Sequence, residues 1–165
     1  MKSNLKKLIV VLFVFAINLS FAQCPAISDL DLSDGKDKWV ESAQSRTETL
    51  KMGESFEMTF IAQRGMDYRI RVLSGAEDLE MKNASVRIYD TDIEKSKVDG
   101  TVSYKRTQKK VYDSNSIPEN KEVILTTPKT RKLTVKSTTR KSDNAEKPQC
   151  IIVYIESRRS QKLGI

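Results

Sequence analysis

Residues 55–72 have the sequence SFEMTFIAQRGMDYRIRV, in which apolar and polar side chains alternate on both sides of a glycine. Alternation with a period of two places the apolar side chains on one face of a β-strand. The apolar faces before and after the glycine consist of Phe56, Met58 and Phe60, and of Tyr68, Ile70 and Val72. The pattern predicts a β-hairpin about the turn Gln63-Arg64-Gly65, with the polar side chains of its second strand facing solvent, namely Asp67, Arg69 and Arg71.

The same period recurs along the chain and predicts further short strands at residues 46–51, 86–90, 101–104, 109–112, 123–125, 133–135 and 150–155. The last of these is apolar on both faces, which is typical of a central strand. No Gly-rich or Pro-rich linker divides the chain. About seven to nine short strands at regular spacing predict an all-β fold, an antiparallel β-sandwich of immunoglobulin-like or jelly-roll topology.

Turn signals predict how these strands connect. Asp99-Gly100, a favoured turn dipeptide, ends the charged residues 91–100. A basic turn at Lys105-Arg106 separates two weaker strands, and Pro128-Lys129 connects the strands of a second predicted hairpin. The predicted loops are residues 114–120 and 142–148.

The start of the chain predicts export. A secretory signal consists of a positive segment, an apolar run and small residues before a cleavage site. Here the positive segment contains Lys2, Lys6 and Lys7, the apolar run is residues 8–19, and Ser20-Phe21-Ala22 precedes the cleavage site. We expect a signal peptide at residues 1–22 and a single β-sandwich domain at residues 23–165, in the periplasm, at the cell surface or in the medium. The apolar run is shorter than the about 20 residues of a membrane span, so we expect no transmembrane segment after cleavage.

The charge is unevenly placed and histidine is absent. Residues 23–100 carry a net charge of −5, whereas residues 101–165 carry +9. Such asymmetry indicates either a basic binding surface or lysines that keep strand edges apart. Without histidine the chain lacks the usual general acid–base side chain near neutral pH and every imidazole metal ligand. We therefore expect a protein that is not an enzyme.

The two cysteines lie at opposite ends of the exported chain, at Cys24 and Cys150. In an oxidising compartment an even pair predicts a disulfide bond. The alternative is a structural lipoprotein that is anchored through an acylated Cys24. A lipobox needs a small residue immediately before the cysteine, however, and Gln23 occupies that place.

Carboxylates are the remaining candidates for chemistry. Asp90, Asp92 and Glu94 alternate, which in a strand puts three carboxylates on one side, and clusters of oxygen ligands can hold Ca²⁺. The glycine of a tight calcium loop is absent, so we expect no metal site. Because the chain has no histidine and no catalytic motif, we also expect no cofactor and no catalytic residue. If the protein is instead a secreted carboxylate-dependent hydrolase, the candidates are Asp67, Asp90 and Asp92.

Basic and aromatic side chains are the candidates for binding. Four basic pairs can meet on one surface that binds a phosphorylated or acidic glycan, or can each sit on a separate loop tip or tail: Lys105-Arg106, Lys109-Lys110, Arg140-Lys141 and Arg158-Arg159. Trp39, the single tryptophan, can stack on a sugar or anchor a protein partner, or can belong to the core or its rim. Nucleic-acid binding requires several aromatic side chains among the basic ones for stacking, and few are available here, so we expect no nucleic-acid partner.

Three stretches together resemble the pre-peptidase C-terminal domain family: residues 54–60, residues 68–72 after the Gly65 turn, and residues 86–90. The resemblance covers residues 52–157 and implies a small secreted bacterial β-sandwich that accompanies enzymes without catalysing a reaction. The acidic cluster that this family carries before its third strand is replaced here by residues 81–85, so calcium binding is not implied. The signal peptide, which ends in Phe21-Ala22-Gln23, is similar to those of Bacteroidetes envelope proteins.

These features together predict an exported, non-enzymatic binding or interaction module of a bacterial cell envelope. The expected partner is an envelope protein or an extracellular glycan. The sequence does not predict the oligomeric state.

Overall fold

The computed structural model describes residues 24–30, 32, 38–75, 79–81, 84–116, 122–139 and 148–162. The predicted signal peptide and most of the two predicted loops at 114–120 and 142–148 lie outside these residues. Within them, nine β-strands form two antiparallel sheets, which confirms the predicted β-sandwich.

The strands are numbered along the chain. Sheet A contains β1 (Val40–Glu41), β2 (Arg46–Leu50), β4 (Met66–Gly75), β7 (Val123–Thr127) and β9 (Gln149–Arg159), in the order β1-β9-β4-β7, with β2 also paired to β9. Sheet B contains β3 (Ser55–Ala62), β5 (Ala84–Val98), β6 (Thr101–Asp113) and β8 (Arg131–Thr139), in the order β3-β8-β5-β6. A short 3₁₀ helix at Ile27–Asp29 precedes them.

The core lies between the inner faces of the two sheets. The apolar residues at alternate strand positions are fully buried there, among them Phe60, Ile70, Ile88, Leu133 and Ile155. Strand β9 pairs with β1 and β2 on one side and with β4 on the other, so its predicted central position is confirmed.

The two predicted hairpins are wrong, although their strands are present. Strand β3 pairs with β8 and strand β4 pairs with β7 and β9, so the turn at residues 63–65 crosses from sheet B to sheet A. The turn at Pro128-Lys129 crosses in the same way from β7 to β8. The two strands that each turn connects face each other across the sandwich and bury their apolar sides against each other. Phe60 and Tyr68 make such a contact, with ring centroids 5.5 Å apart. If the two strands were instead paired in one sheet, the apolar sides of both would point the same way and would need another layer to cover them.

The predicted turn at Lys105-Arg106 is also wrong. Residues 101–113 form one continuous strand, and the charged stretch before it belongs to β5 up to Val98. The chain reverses instead at Asp99-Gly100, as predicted, where φ is 48° and 82°. A two-residue turn that fits the strand twist needs a positive φ at both positions, which Asp-Gly adopts readily and a Lys-Arg pair does not.

The prediction that Asp67, Arg69 and Arg71 face solvent is wrong as well. Asp67 and Arg69 are buried and Arg71 is half-buried. They do point away from the apolar core, but Trp39 and partners on neighbouring strands cover that face of sheet A. Strand alternation predicts which face a side chain occupies and not whether another segment covers that face.

Candidate functional site

Strands β5 and β6 continue beyond the sandwich as a two-stranded ribbon. Strand β5 pairs with β8 only as far as Thr91, whereas its pairing with β6 continues to Val98. We call residues 92–107 the arm. All of its described side chains are exposed except Thr107, which is half-buried. The arm therefore presents both faces to solvent.

Contacts within the arm and at its base hold this shape. Cross-strand pairs stabilise a two-stranded ribbon, and here Glu94 lies opposite Lys105 while the hydroxyls of Ser96 and Ser103 are 2.5 Å apart. At the base, Lys129 Nζ lies 3.3 Å from Asp92 Oδ2. An isolated hairpin is marginal in water, so the connection to sheet B stabilises the arm.

The two faces of the arm differ in chemistry. Ile88 points into the core, so alternation along β5 assigns odd-numbered residues to the outer face of sheet B. Register with β6 then gives three cross-strand rows on the outer face of the arm: Ile93 opposite Arg106, Lys95 opposite Tyr104, and Lys97 opposite Val102. The described side chains of the inner face are Asp92, Glu94, Ser96, Thr101, Ser103, Lys105 and Thr107. The outer face thus combines three apolar and three cationic side chains with no carboxylate, whereas the inner face carries both signs.

The cations of the outer face have no partner of opposite charge among the described residues. No ion pair of the described residues involves Lys95, Lys97 or Arg106, and the same holds for Lys105 and Lys109 on the other face, whereas Lys110, Lys129 and Arg131 are paired. Apolar side chains stand beside them, with Ile93 61 % exposed and Tyr104 68 % exposed. The outer face of the arm thus places an exposed aromatic ring among cations that are not in ion pairs.

Of the four predicted basic pairs, Lys105-Arg106 and Lys109-Lys110 lie on β6, but on two faces. Arg158-Arg159 lies on β9 in sheet A, and residues 140–141 lie outside the described residues. Arg106 and Lys110 belong to the outer face, and Lys105 and Lys109 to the face of Asp90 and Glu94. The predicted common surface therefore forms only in part.

Sequence reasoning missed five residues of the outer face: Ile93, Lys95, Lys97, Val102 and Tyr104. The sequence of residues 91–100 is that of a charged stretch that ends in a turn. The available signal was the length of the polar segment on both sides of Asp99-Gly100, which suffices for two long paired strands.

Asp113 lies opposite Arg87 at the end of β6 that is remote from the arm, and its contacts fix that end of the strand. Lys110 Nζ lies 2.8 Å from Asp113 Oδ2 and Arg87 Nε lies 3.4 Å from the same oxygen. The hydrogen bond from Lys110, with a further one from the Asn115 N–H, lowers the pKa of Asp113. Burial and the Asp113 charge raise the pKa of neighbouring Tyr112.

The other predicted binding residue, Trp39, lies on sheet A. It is half-buried, and the guanidinium carbons of Arg158 and Arg69 lie 4.3 Å and 4.9 Å from its ring centroid. Such cation–π contacts hold the ring against the outer face of sheet A. Trp39 does not share a surface with the arm, which belongs to sheet B.

Buried charges surround Trp39. Glu156 is 1 % exposed and accepts hydrogen bonds from Arg69 at 2.7 Å and 2.8 Å and from Arg71 at 2.7 Å. Arg71 also donates to the Leu32 carbonyl and lies against the Tyr154 ring, which ties the N-terminal segment to the sheet. Burial and the Glu156 charge raise the pKa of Tyr154.

The three carboxylates proposed for hydrolysis each contact a cation. Asp67 on sheet A lies 3.6 Å from Arg158 and accepts a hydrogen bond from Thr126. On sheet B, Arg131 lies 2.7 Å from Asp90 and Lys129 lies 3.3 Å from Asp92. Within the described residues, cysteine, aspartate and glutamate side chains nowhere form a group of three that could hold a metal ion.

The predicted disulfide bond is present. Cys24 and Cys150 are bridged, with their Cα atoms 5.4 Å apart and a separation of 126 positions in the sequence. The bridge connects the N-terminal segment to β9. A lipid thioether on Cys24 would use the same sulfur, so the lipoprotein alternative and this bridge exclude each other.

None of the helical segments in the described part of the chain has the length and apolar character of a membrane span. Comparison with protein-family models and with curated proteins gives no match for this chain.

Proposed function

We propose that this chain is an exported, non-enzymatic binding module of the bacterial cell envelope, and that it holds its partner on the arm. The observation that carries the proposal is the arm itself, a ribbon that leaves the sandwich with both faces in solvent. A ribbon of this kind adds little to the core, because its side chains bury almost no surface. Its exposed apolar and cationic side chains suit contact with another molecule.

Two further observations support export and the absence of catalysis. A disulfide bond between distant cysteines is compatible with an oxidising compartment outside the cytoplasm. The resemblance to pre-peptidase C-terminal domains, which accompany enzymes without catalysing a reaction, implies the same architecture of two antiparallel sheets. We propose membership of that group as part of this function.

The experiment compares the protein with a variant that has a shortened arm. Deletion of residues 93–98 and 101–106 leaves Asp99-Gly100 to connect Asp92 with Thr107. Opposite residues along an antiparallel ladder alternate between hydrogen-bonded and non-hydrogen-bonded pairs. The pairs Asp92–Thr107 and Val98–Thr101 are an even number of positions apart along the ladder, so both are of the same kind. The native turn therefore closes the shortened hairpin.

Both proteins are immobilised and exposed to solubilised cell-envelope fractions. We expect the complete protein to retain an envelope component and the shortened variant to lose it, while thermal unfolding of the two remains similar. Equal retention by both proteins, or retention of nothing by the complete protein, would contradict the proposal.

A further inference from the structure

We propose that the outer face of the arm binds a linear anionic glycan, a chain of sugars that carry carboxylate, phosphate or sulfate groups. This inference rests on the proposed function and names the ligand class of the same surface. It concerns the rows Ile93–Arg106, Lys95–Tyr104 and Lys97–Val102.

Each row pairs one apolar side chain with one cation. Directly opposite side chains of an antiparallel pair have Cβ atoms about 5 Å apart, so each cation stands beside an apolar surface. An acidic sugar has the same combination, since the C–H groups of its ring form an apolar face and its anionic group lies at the rim. One row therefore suits one acidic sugar.

The rows also repeat along the arm. Neighbouring rows on one face are separated by two residues, or about 7 Å, so the three rows extend over roughly 14 Å. A single exposed ion pair contributes little, because water and salt screen it. A chain that repeats its anionic groups engages several rows together, and no carboxylate on this face competes for the cations.

Tyr104 occupies the middle row and is the most exposed of the large apolar side chains in the described part of the chain. Its ring offers a flat apolar surface that is directly opposite Lys95 and diagonal to Ile93 and Lys97. Aromatic side chains supply such surface at a low cost in conformational entropy. We therefore assign Tyr104 as the stacking platform of the site.

Other anionic partners fit less well. A segment that lies in a membrane interface separates its apolar face from its charged face, whereas every row here mixes the two. A single-stranded nucleic acid stacks successive bases on several aromatic rings, and the arm has one. A folded acidic protein in a standard interface covers about 800 Å² per partner, more than a ribbon two strands wide presents on one face.

Binding of the complete protein to polygalacturonate and to dextran sulfate tests the inference, with neutral dextran and vesicles of anionic phospholipid as comparison probes. The outer double variant Lys95→Gln/Lys97→Gln and the inner double variant Lys105→Gln/Lys109→Gln remove the same net charge from opposite faces of the hairpin. We expect the outer variant to weaken polysaccharide binding about tenfold, on the scale of two exposed charge contacts, and the inner variant by less than about twofold.

Tyr104 is tested separately from charge. We expect Tyr104→Ala to weaken binding about fivefold and Tyr104→Phe to keep it, because the ring face and not the hydroxyl makes the contact. Neutral dextran should not bind.

Equal losses from the inner and outer variants would overturn the inference, since net charge alone would then account for binding. Vesicles that bind as tightly as the polysaccharides, or no binding of either polysaccharide, would overturn it too. If the polysaccharides do not bind while the arm is still needed for retention of an envelope component, the inference fails and the proposed function stands. If the polysaccharides do not bind and the arm is not needed for retention either, the inference and the proposed function both fail.

Discussion

Arg69 and Glu156 lie opposite each other in the register of β4 and β9 and form a bidentate ion pair within the covered face of sheet A. Arg69 Nε is 2.7 Å from Glu156 Oε2, and Arg69 Nη2 is 2.8 Å from Oε1. Arg71 binds the same carboxylate at 2.7 Å. One buried anion thus holds two arginines, and through them Trp39 and the N-terminal segment.

Glu156→Gln should destabilise the protein strongly. Removing one member of a buried ion pair leaves an uncompensated charge, which typically costs about 3–5 kcal/mol. We expect a loss of this size in the free energy of unfolding, measured by urea denaturation. The control is Glu57→Gln, which removes an exposed partner of Lys136 at 4.0 Å and should cost less than about 1 kcal/mol. Equal losses from the two variants would contradict the account of Glu156.

Trp39 should stabilise sheet A without contributing to partner binding. Trp39→Ala removes a ring that contacts Arg69 and Arg158, and we expect a loss of about 1–3 kcal/mol from the cation–π contacts and the lost burial. Trp39→Phe keeps an aromatic face and should lose less. Retention of the envelope component should survive Trp39→Phe and decrease on Tyr104→Ala. The reverse order would move the binding surface to sheet A.

The disulfide bond should contribute much of the stability. In the chain-entropy model a cross-link that closes a loop of about 100 residues contributes about 4–5 kcal/mol, and the Cys24–Cys150 loop is of this size. The double variant Cys24→Ser/Cys150→Ser should therefore unfold at a lower urea concentration, with a loss of about 2–5 kcal/mol. Thiol titration of the denatured, unreduced wild-type protein should find no free thiol. Two free thiols in the exported protein would contradict the bridge.

Gly100 should control the order of the arm and not the stability of the sandwich. Its φ of 82° favours glycine, and nothing lies within 4 Å of an added Cβ, so the penalty of Gly100→Ala is conformational, about 1 kcal/mol. We expect faster amide exchange in residues 95–104 and an unchanged urea midpoint, because the arm opens locally. Gly53, with a φ of 78° and equally open surroundings, is the matched control at a turn of the sandwich. Faster exchange in the arm after Gly53→Ala would contradict the assignment.

Asp113 should make the end of β6 that is remote from the arm sensitive to acid. Its pKa is lowered in the folded state, chiefly by the hydrogen bond from Lys110, so the folded protein binds fewer protons there than the unfolded chain does. Its contribution is therefore present above the unfolded pKa of about 3.9 and is lost as the pH falls through the folded pKa. An NMR titration of the Asp113 carboxyl carbon should show a higher pKa in Lys110→Met. Identical titrations in wild type and variant would show that Lys110 does not lower it.

The positions of most strands follow from the sequence because burial of one face imposes a period of two. Residues 55–60 and 68–72 show that period clearly. The central place of β9 follows from its apolar side chains on both faces. The partners of the strands do not follow, because alternation specifies a face and not a neighbour. This is why the turn at Gly65 was predicted to close a hairpin and instead crosses between the sheets.

The candidate site was less predictable for a related reason. The arm does not pack against the core, so burial does not require apolar side chains at alternate positions there. Residues 92–98 therefore lack an apolar period, and their sequence resembles that of a loop. The burial of Arg69 depends on Glu156, which lies 87 positions later in the chain, and no local pattern reports such a contact. The turn at Asp99-Gly100 was predictable because it depends only on the backbone preferences of two adjacent residues.

Hydrogen–deuterium exchange of the protein, with and without the envelope component that it retains, tests the central claim most directly. We expect the bound partner to slow amide exchange in residues 93–106 and to leave exchange in the strands around Trp39 unchanged. Protection confined to sheet A, with no change in the arm, would contradict it.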